Sequence, residues 1–432
     1  MELEVLTTPL QSLKYSLFLK RRFWPIFVAT FLGAFNDNML RSGLVVLIAY
    51  SATQGIVLPT RPEILVTISS ALLVIPLILF SSVAGSLADK YEKSLLVKCT
   101  KLVEVGIMSC AYYGFAHHNI FLLMGLLFVS GTHTAFYSPI KFSILPDHLH
   151  NKELLAANGF MAGGSYLAVL LGLVAGGLLV EYPRNVIGTA AVLIACTGGF
   201  ASLFILPSHV AHPHTKINLN LWKGTKDIIA YACSDKTIML SIFGLSWFLL
   251  VGSVFMSQFA NYAQAVVHAN NEVYILFLTV FSVGIAIGSL ITDILLKGEI
   301  SLRLTPFAIF GVSIFTYGMV IGTPAPVPGA LQDANAFIAM STHWAMLGCM
   351  LMVAICGGIY MVPLYATLQS HTPAEYRSRV MAASNMSDAV FATVAALVSA
   401  LLLSLGFRIT DLFLCMATLN LPIIYYARRI TA

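Results

Sequence analysis

Charge is what this sequence has least of. Asp, Glu, Lys and Arg together make up 10% of its 432 residues, against about 25% in an ordinary soluble domain. With 58% of residues hydrophobic, that deficit excludes a soluble enzyme or a nucleic-acid binder. The net charge of +5 is accordingly read as membrane topology rather than as a basic binding face. Cysteine is also sparse: Cys99, Cys110, Cys196, Cys233, Cys349, Cys356 and Cys415 are scattered, mostly in apolar segments, with no C-x-x-C. They are read as packing residues without a disulfide framework. The triplet "HVAHPH" places His209, His212 and His214 in one polar loop, but no carboxylate or thiol completes a ligand set. No metal and no cofactor is expected. No Ser-His-Asp order or H-x4-D run stands at a membrane face, so an integral membrane enzyme is not expected either. The opening "MELEVLTTPLQSLKYSLFLKRR" reads as a polar, basic arm entering the first apolar run directly, not as a secretory signal.

What the chain has in abundance is long apolar runs. At a rise of about 1.5 Å per residue, roughly 20 such residues cross a hydrocarbon core of about 30 Å. The runs predict twelve helices, at 24–50, 64–88, 95–115, 120–140, 155–180 and 187–206, then 238–264, 272–296, 303–323, 343–368, 377–404 and 409–428. The expected fold is an all-α polytopic membrane protein: twelve transmembrane helices in two pseudo-symmetric six-helix bundles. Residues 1–206 form the first bundle, 207–236 a central cytoplasmic loop and 237–432 the second bundle. Of the 24 Lys and Arg residues, 20 are assigned to the side holding both ends and the central loop; Arg61, Arg184 and Arg408 fall opposite, and Arg41 lies inside the first span. The positive-inside rule then puts both termini in the cytoplasm.

An internal repeat supports the two halves. "GSLADKYEKS" from Gly85 recurs as "GSLITDILLKGEIS" from Gly288, and "YSPIKFSIL" from Tyr137 as "YMVPLYATL" from Tyr360. Asn158 and Asn385 fall early in the fifth helix of each half, so the offsets are 203, 224 (for Pro139 and Pro363) and 227. Six-helix repeats joined by a cytoplasmic loop are a transporter organisation.

Polar residues inside the spans are the candidate functional groups, because each is costly in lipid. The first helix carries Asn36, Asp37, Asn38 and Arg41, with Asp37 at the midpoint of the 27 residues from Trp24 to Tyr50. Asp37 and Arg41 are four apart on one helical face and can pair. Pairing alone leaves the two amides unexplained, whereas a hydrated central cavity accounts for all four residues. In the fourth helix His133, Tyr137 and Lys141 share a face. The alternatives there are a packed, hydrogen-bonded imidazole and a lysine that snorkels to lipid phosphates. Gln258 and Asn261 share a face of the seventh helix, and Asn385 and Asp388 one of the eleventh; each pair either lines the site or bonds locally. Lys101 and Glu104 are expected to form a local ion pair. Gly163, Gly164, Gly172, Gly176 and Gly177 read as a close-packing stripe.

"GSLADKYEKS" resembles the loop motif between helices two and three of major facilitator transporters, matched at Gly85, Asp89, Lys90 and Lys93, with Glu92 where the family has a second glycine. The resemblance implies a gating role for these four residues, with the aspartate facing the positive end of a neighbouring helix. "FLGAFNDNMLRSGLVVLIAY", "YSPIKFSIL", "AANGFMAGGSYLAVLLGLVAGGLL" and "SWFLLVGSVFMSQFANYA" resemble the bacterial lysophospholipid transporters. They are most similar to the transporter portion of longer proteins fused to an acyltransferase and an acyl carrier protein synthetase.

That resemblance implies flipping of lysophospholipids, such as lysophosphatidylethanolamine, across the bacterial inner membrane by alternating access. The partners it implies are membrane lipids and an acyltransferase, with no nucleic acid, for a monomeric protein. Asp37 and Asn38 match the family's first-helix polar pair and Lys141 its Y-S-P-x-K lysine. Gln258 and Asn261 stand where stand-alone members carry a basic and an acidic residue. On this reading Asp37 receives a headgroup ammonium, and Arg41 attracts phosphate or holds Asp37 ionised. The alternatives are a proton-coupled drug or metabolite antiporter, with Asp37 titrating, and a membrane scaffold for an acyltransferase.

Overall fold

The computed structural model describes residues 17–49, 61–180, 182–183, 185–208, 221–324 and 331–431. Among them are twelve helices of 17 residues or more. In the first half these are α1 (Trp24–Ala49), α2 (Pro62–Lys90), α3 (Lys93–Ala116), α4 (Ile120–Ser143), α5 (Asn151–Leu179) and α6 (Asn185–Leu203). The second half supplies α7 (Lys236–Asn261), α8 (Asn271–Leu295), α9 (Thr305–Ile321), α10 (Trp344–His371), α11 (Arg377–Ser404) and α12 (Ile409–Thr431). Each lies within a few residues of its expected limits. A lone bridge between Ala269 and Gln332 is the nearest approach to a strand among the described residues, as expected where the backbone must satisfy itself in lipid.

Eight of the helices could cross a membrane by length and composition alone. The remaining four fall short for visible reasons. α9 and the apolar stretch Ile409–Tyr425 of α12 are short, while α1 and α3 are interrupted by polar groups, among them Asp37, Arg41, Lys101 and Glu104. Lys101, assigned from sequence to one membrane side, in fact lies well inside α3 and is buried. Part of the expected central loop is helical. Leu221–Ser234 buries Gly224, Ile228 and Ala232, four residues apart, and exposes Lys223, Lys226 and Asp227. His209, His212 and His214 lie outside the described residues. The cysteines are free, but only Cys356 is buried; Cys99, Cys110, Cys196 and Cys233 are exposed, so the packing role expected for them fails. A thiol is apolar enough to lie on an outer helix face.

The chain divides into two compact units. The first holds the described residues of Met1–Ala157, Leu171–Tyr231 and Thr372–Asn385; the second holds Asn158–Leu170, Ala232–His371 and Met386–Ala432. In the first, α1 packs on α2, α4 and α6, α4 also on α2 and α3, and α3 on α6. In the second, α7 packs on α8, α10 and α12, α10 also on α8 and α9, and α9 on α12. The pairings repeat with a shift of six helices, which is the structural form of the sequence repeat. The small residues of α5 serve close packing: Gly163 lies against Ala286 of α8, and Gly176 against Met39 and Gly43 of α1.

Candidate functional site

The first unit holds a buried polar cluster built from α1, α3 and α4. Asp37 is partly exposed. Its Oδ1 accepts from Ser130 Oγ at 2.6 Å and its Oδ2 from Thr134 Oγ1 at 2.9 Å. The two hydroxyls are four residues apart on α4 and therefore face α1 together. The pairing with Asp37 that the spacing of Arg41 allowed is not formed: the Arg41 guanidinium donates to Ser70 Oγ of α2 at 3.3 Å. Sequence spacing permitted the ion pair, but packing brings two preplaced hydroxyl donors to the carboxylate from a neighbouring helix.

Deeper in the same unit, Lys101 Nζ donates to Glu104 Oε2 at 2.6 Å, with both side chains 1% exposed. The expected local ion pair is thus real, and it is fully buried. The Lys101 ammonium lies 4.9 Å from the centre of the Tyr137 ring, and the Tyr137 hydroxyl shares a 2.8 Å hydrogen bond with Thr30 of α1. Gly33 of α1 makes room for this arrangement, since a Cβ there would lie 2.6 Å from Lys101 Nζ. His133 stacks on Tyr137 at 6.1 Å and is 7% exposed. Among the described residues, no group meets full hydrogen-bond geometry with either ring nitrogen or with Glu104 Oε1. Asp37, Glu104 and Lys101 all act electrostatically on the imidazole, and the Thr100 backbone lies beside it.

The other first-helix amides turn elsewhere. Asn36 is buried and donates to the Ala191 carbonyl of α6 at 2.9 Å, while Asn38 donates to the Ala34 carbonyl of its own helix at 2.8 Å. Lys141, half-buried in the last turn of α4, lies 5.1 Å from the Phe142 ring centre. In the second unit, Asn261 donates to Gln258 at 3.1 Å, so these two satisfy each other. Asp388 accepts from Ser246 of α7 at 2.7 Å, the counterpart of Asp37 held by hydroxyls. The Asn385 amide nitrogen has no partner among the described residues.

A second cluster surrounds the loop between α2 and α3. Asp89 is buried at the N-terminus of α11, accepting from the backbone N–H groups of Ser378 (2.9 Å) and Arg379 (3.2 Å) and from Arg379 Nε (3.0 Å). A carboxylate at a helix N-terminus satisfies unpaired donors and meets the positive end of the helix dipole. Gly85 allows the approach: a Cβ there would lie 2.8 Å from the Ala382 Cβ and 2.9 Å from the Arg379 Cα. Lys93 is buried and pairs with Asp147 at 2.8 Å, and Asp147 also accepts from Arg377 at 3.3 Å. Lys90 stays near the ring of Tyr91, at 5.7 Å. Glu92 accepts from the Ser208 N–H at 3.2 Å, a use its departure from the motif did not suggest.

Sequence reasoning missed several of these groups. Ser130 and Thr134 were detectable as two hydroxyls at helical spacing astride His133. Asp147, Arg377 and Arg379 carried only the signal of charge near a span end. Gln369, which exchanges two amide hydrogen bonds with Asn158 at 2.7 and 2.8 Å, carried none.

Twelve helices in two repeats, a partly exposed carboxylate at the middle of the first helix and a charged loop between the second and third define a membrane transporter. The chain belongs to the Major Facilitator Superfamily, which it matches over residues 26–332. Among curated proteins it is similar to the lysophospholipid transporter LplT of Shigella flexneri, 24% identical over 347 residues, covering 80% of this chain and 79% of that one. The LplT of Salmonella arizonae is 27% identical over 354 residues, again covering 80% and 79%. Among solved structures, the human organic anion transporter MFSD10 shares the fold, with a TM-score of 0.71 at 13% identity over 94% of this chain and 99% of that chain.

Proposed function

We propose that this transporter flips lysophospholipids across the bacterial inner membrane by alternating access. The observation that carries the reading is Asp37: a partly exposed carboxylate at the middle of a spanning helix, held by Ser130 and Thr134, with its outer side left for a cationic headgroup. A carboxylate at this depth is costly unless it has a partner or a task. The LplT relatives are lysophospholipid transporters by name, and that supplies the cargo class. Arg41 and Lys141 are the cations suited to the headgroup phosphate, with Asp388 and Asn385 the polar groups of the second half. Asn36, turned to α6, and Asn38, Gln258 and Asn261, each bonded within its own helix, serve the helices that carry them rather than the cargo. Both termini and the central segment face the cytoplasm, by the distribution of basic residues.

Residues 1–206 and 237–432 act as the two moving halves, with 207–236 joining them. Asp89, with Gly85, Lys90 and Lys93, gates one face by docking on the first turn of α11 and leaving it as the halves rock. The protein acts as a monomer and hands its cargo to an acyltransferase for reacylation.

The test is uptake of labelled lysophosphatidylethanolamine by vesicles reconstituted with the purified protein. Wild type is expected to exchange it. Asp37→Asn, at equal reconstituted abundance, is expected to slow exchange about tenfold or more, the worth of one charge-assisted contact. No exchange by wild type, or full exchange by the variant, would overturn the reading.

A further inference from the structure

Between α7, α11 and α12 the second unit encloses an apolar cavity of about 150 Å³. Its lining is apolar apart from Ser399, with no charged side chain among the described residues. Val254, Ala395, Ser399 and Met416 form a buried floor, while Val394, Val398 and Leu419 stand exposed at the rim. A cavity of this size with apolar walls stays dry and takes an apolar guest. One end is shut: a turn before Trp247, Phe243 meets the Phe391 ring of α11 edge-on at 5.8 Å. The repeat explains why the space lies here. The offset of 227 that pairs Asn158 with Asn385 also pairs Gly172 with Ser399 and Gly176 with Leu403. In the first unit those glycines let α5 lie directly on α1, since a Cβ at Gly172 would collide with the Phe35 carbonyl and one at Gly176 with the Met39 carbonyl. Serine and leucine forbid so close an approach, so α11 stands off α7 at the same register.

The shut end lies beside polar groups. Trp247 Nε1 donates to Asn420 Oδ1 at 2.8 Å. An indole N–H only donates, so this bond fixes the Asn420 carboxamide and leaves Nδ2 as its spare donor. That atom is buried, and among the described residues no acceptor meets full hydrogen-bond geometry with it. Ser246, the residue before Trp247, donates to Asp388 at 2.7 Å. Trp247, Asp388 and Asn420 are each the twelfth residue of their helices, which have 26, 28 and 23 residues. The polar end is therefore near mid-span. A resident bilayer lipid keeps its headgroup outside the hydrocarbon core, not at this depth. A chain rooted here belongs to a lipid on its way across.

We propose that this cavity is the subsite for the single acyl chain of the cargo, with the root of the chain at Trp247 and Asn420. Asn420 Nδ2 donates to the ester carbonyl, and the chain runs from there along α11 toward Leu402. At about 30 Å³ for a group the size of a water, the cavity encloses about five methylene-sized groups, enough for part of one chain. A second chain has no place in it, so the site favours a lysolipid over its diacyl parent. This inference rests on the lipid-transport reading above and adds where the tail is held.

The experiment uses lysophosphatidylethanolamine and diacyl phosphatidylethanolamine, each with a diazirine in an acyl chain, in vesicles reconstituted with the full chain. After illumination, adducts are located by mass spectrometry. The lysolipid is expected to label the α11 and α12 segments around Ser399 and Met416 several-fold more than the diacyl lipid does. Ser399→Leu fills the cavity and should cut that labelling about tenfold, leaving labels on other lipid-facing helices unchanged. Ala395→Val is a smaller filling, with a loss of about threefold expected, and serves where Ser399→Leu does not fold. Equal labelling by both lipids would make the cavity a resting place for bulk lipid and overturn the inference. So would lysolipid labelling that survives both fillings, or no label at the cavity of protein that exchanges lysolipid. Each of these leaves the transport reading intact. No exchange of unmodified lysophosphatidylethanolamine by wild type would overturn that reading and the inference with it.

Discussion

The two units repeat one helix-pairing plan and fill it with opposite chemistry. Of the twelve largest fully buried side chains among the described residues, the first unit holds Phe23, Phe115, Lys93 and Lys101, so half of its share is lysine. The eight in the second unit are all aromatic. There Phe255 stacks on Phe413 at 4.6 Å, Phe259 meets Phe281 edge-on at 5.5 Å, Tyr262 meets Phe413 at 5.4 Å, and Phe277 reaches Phe337 at 5.8 Å. The offset that pairs Pro139 with Pro363 pairs His133 with Gly357. The space left by that glycine is filled by the ring of Phe248. Where one half keeps an imidazole beside carboxylates, the other packs a benzene ring. The lesson is that the helix frame does not need a polar core, so the ionic groups of the first unit are retained for something other than packing.

The largest expected effect comes from breaking the ionic core. Lys101→Met leaves Glu104 buried and uncompensated, and should destabilise the protein by about 3–5 kcal/mol. Loss of monodisperse protein, or a sharply lowered melting temperature in detergent, is the measurement. Lys101→Met with Glu104→Met should recover much of that loss, because two apolar side chains can replace a buried pair at little net cost. If the double variant is no better than the single one, the pair is not the unit of stability claimed for it.

A smaller effect is expected in the aromatic core. Phe259→Leu keeps an apolar side chain of similar bulk and should cost about 1.5 kcal/mol or less, read in the same melting assay. A loss as large as that of Lys101→Met would erase the contrast between the units.

The smallest effect separates a surface charge from both cores. Asp235 caps α7, accepting from the N–H groups of Thr237 (2.8 Å) and Ile238 (3.1 Å), and meets the His371 ring at 3.1 Å. Burial acts to raise the Asp235 carboxyl, but the Ile238 N–H, the His371 ring and the Thr237 N–H outweigh it and hold the group below the ordinary carboxylate range. A depressed carboxyl stabilises the fold above its unfolded value near 3.9 and loses that contribution as pH falls through the lower folded value. Asp235→Ala should therefore lower stability by about 1 kcal/mol at pH 6, a typical cap loss. The gap to wild type should stay constant down to about pH 4 and narrow below it. A gap that widens on acidification would reverse the sign argued here.

Length and apolar runs alone mark the twelve helices, because a chain with 10% charged residues can hide its backbone in lipid only as helix. The repeat of "GSLADKYEKS" and "YSPIKFSIL" in the second half likewise foretold that the pairings of α1 to α6 recur in α7 to α12. Asp37 was legible as a costly group in need of partners from its depth alone. Its partners were not: i, i+4 spacing offered Arg41, while the approach of α4 supplied Ser130 and Thr134. Lys101 and Glu104 read as a local pair, and only the packing of α3 and α4 shows that the pair is buried against Tyr137, on which His133 stacks. The sequence by itself determined where the chain crosses the membrane and which residues are too costly to be there without cause, since both follow from the price of polarity along one helix. Which costly residues meet was decided by tertiary structure, because hydrogen bonds and ion pairs act over about 3–4 Å, and only the packing of separate helices brings groups 93 or 97 residues apart within that reach.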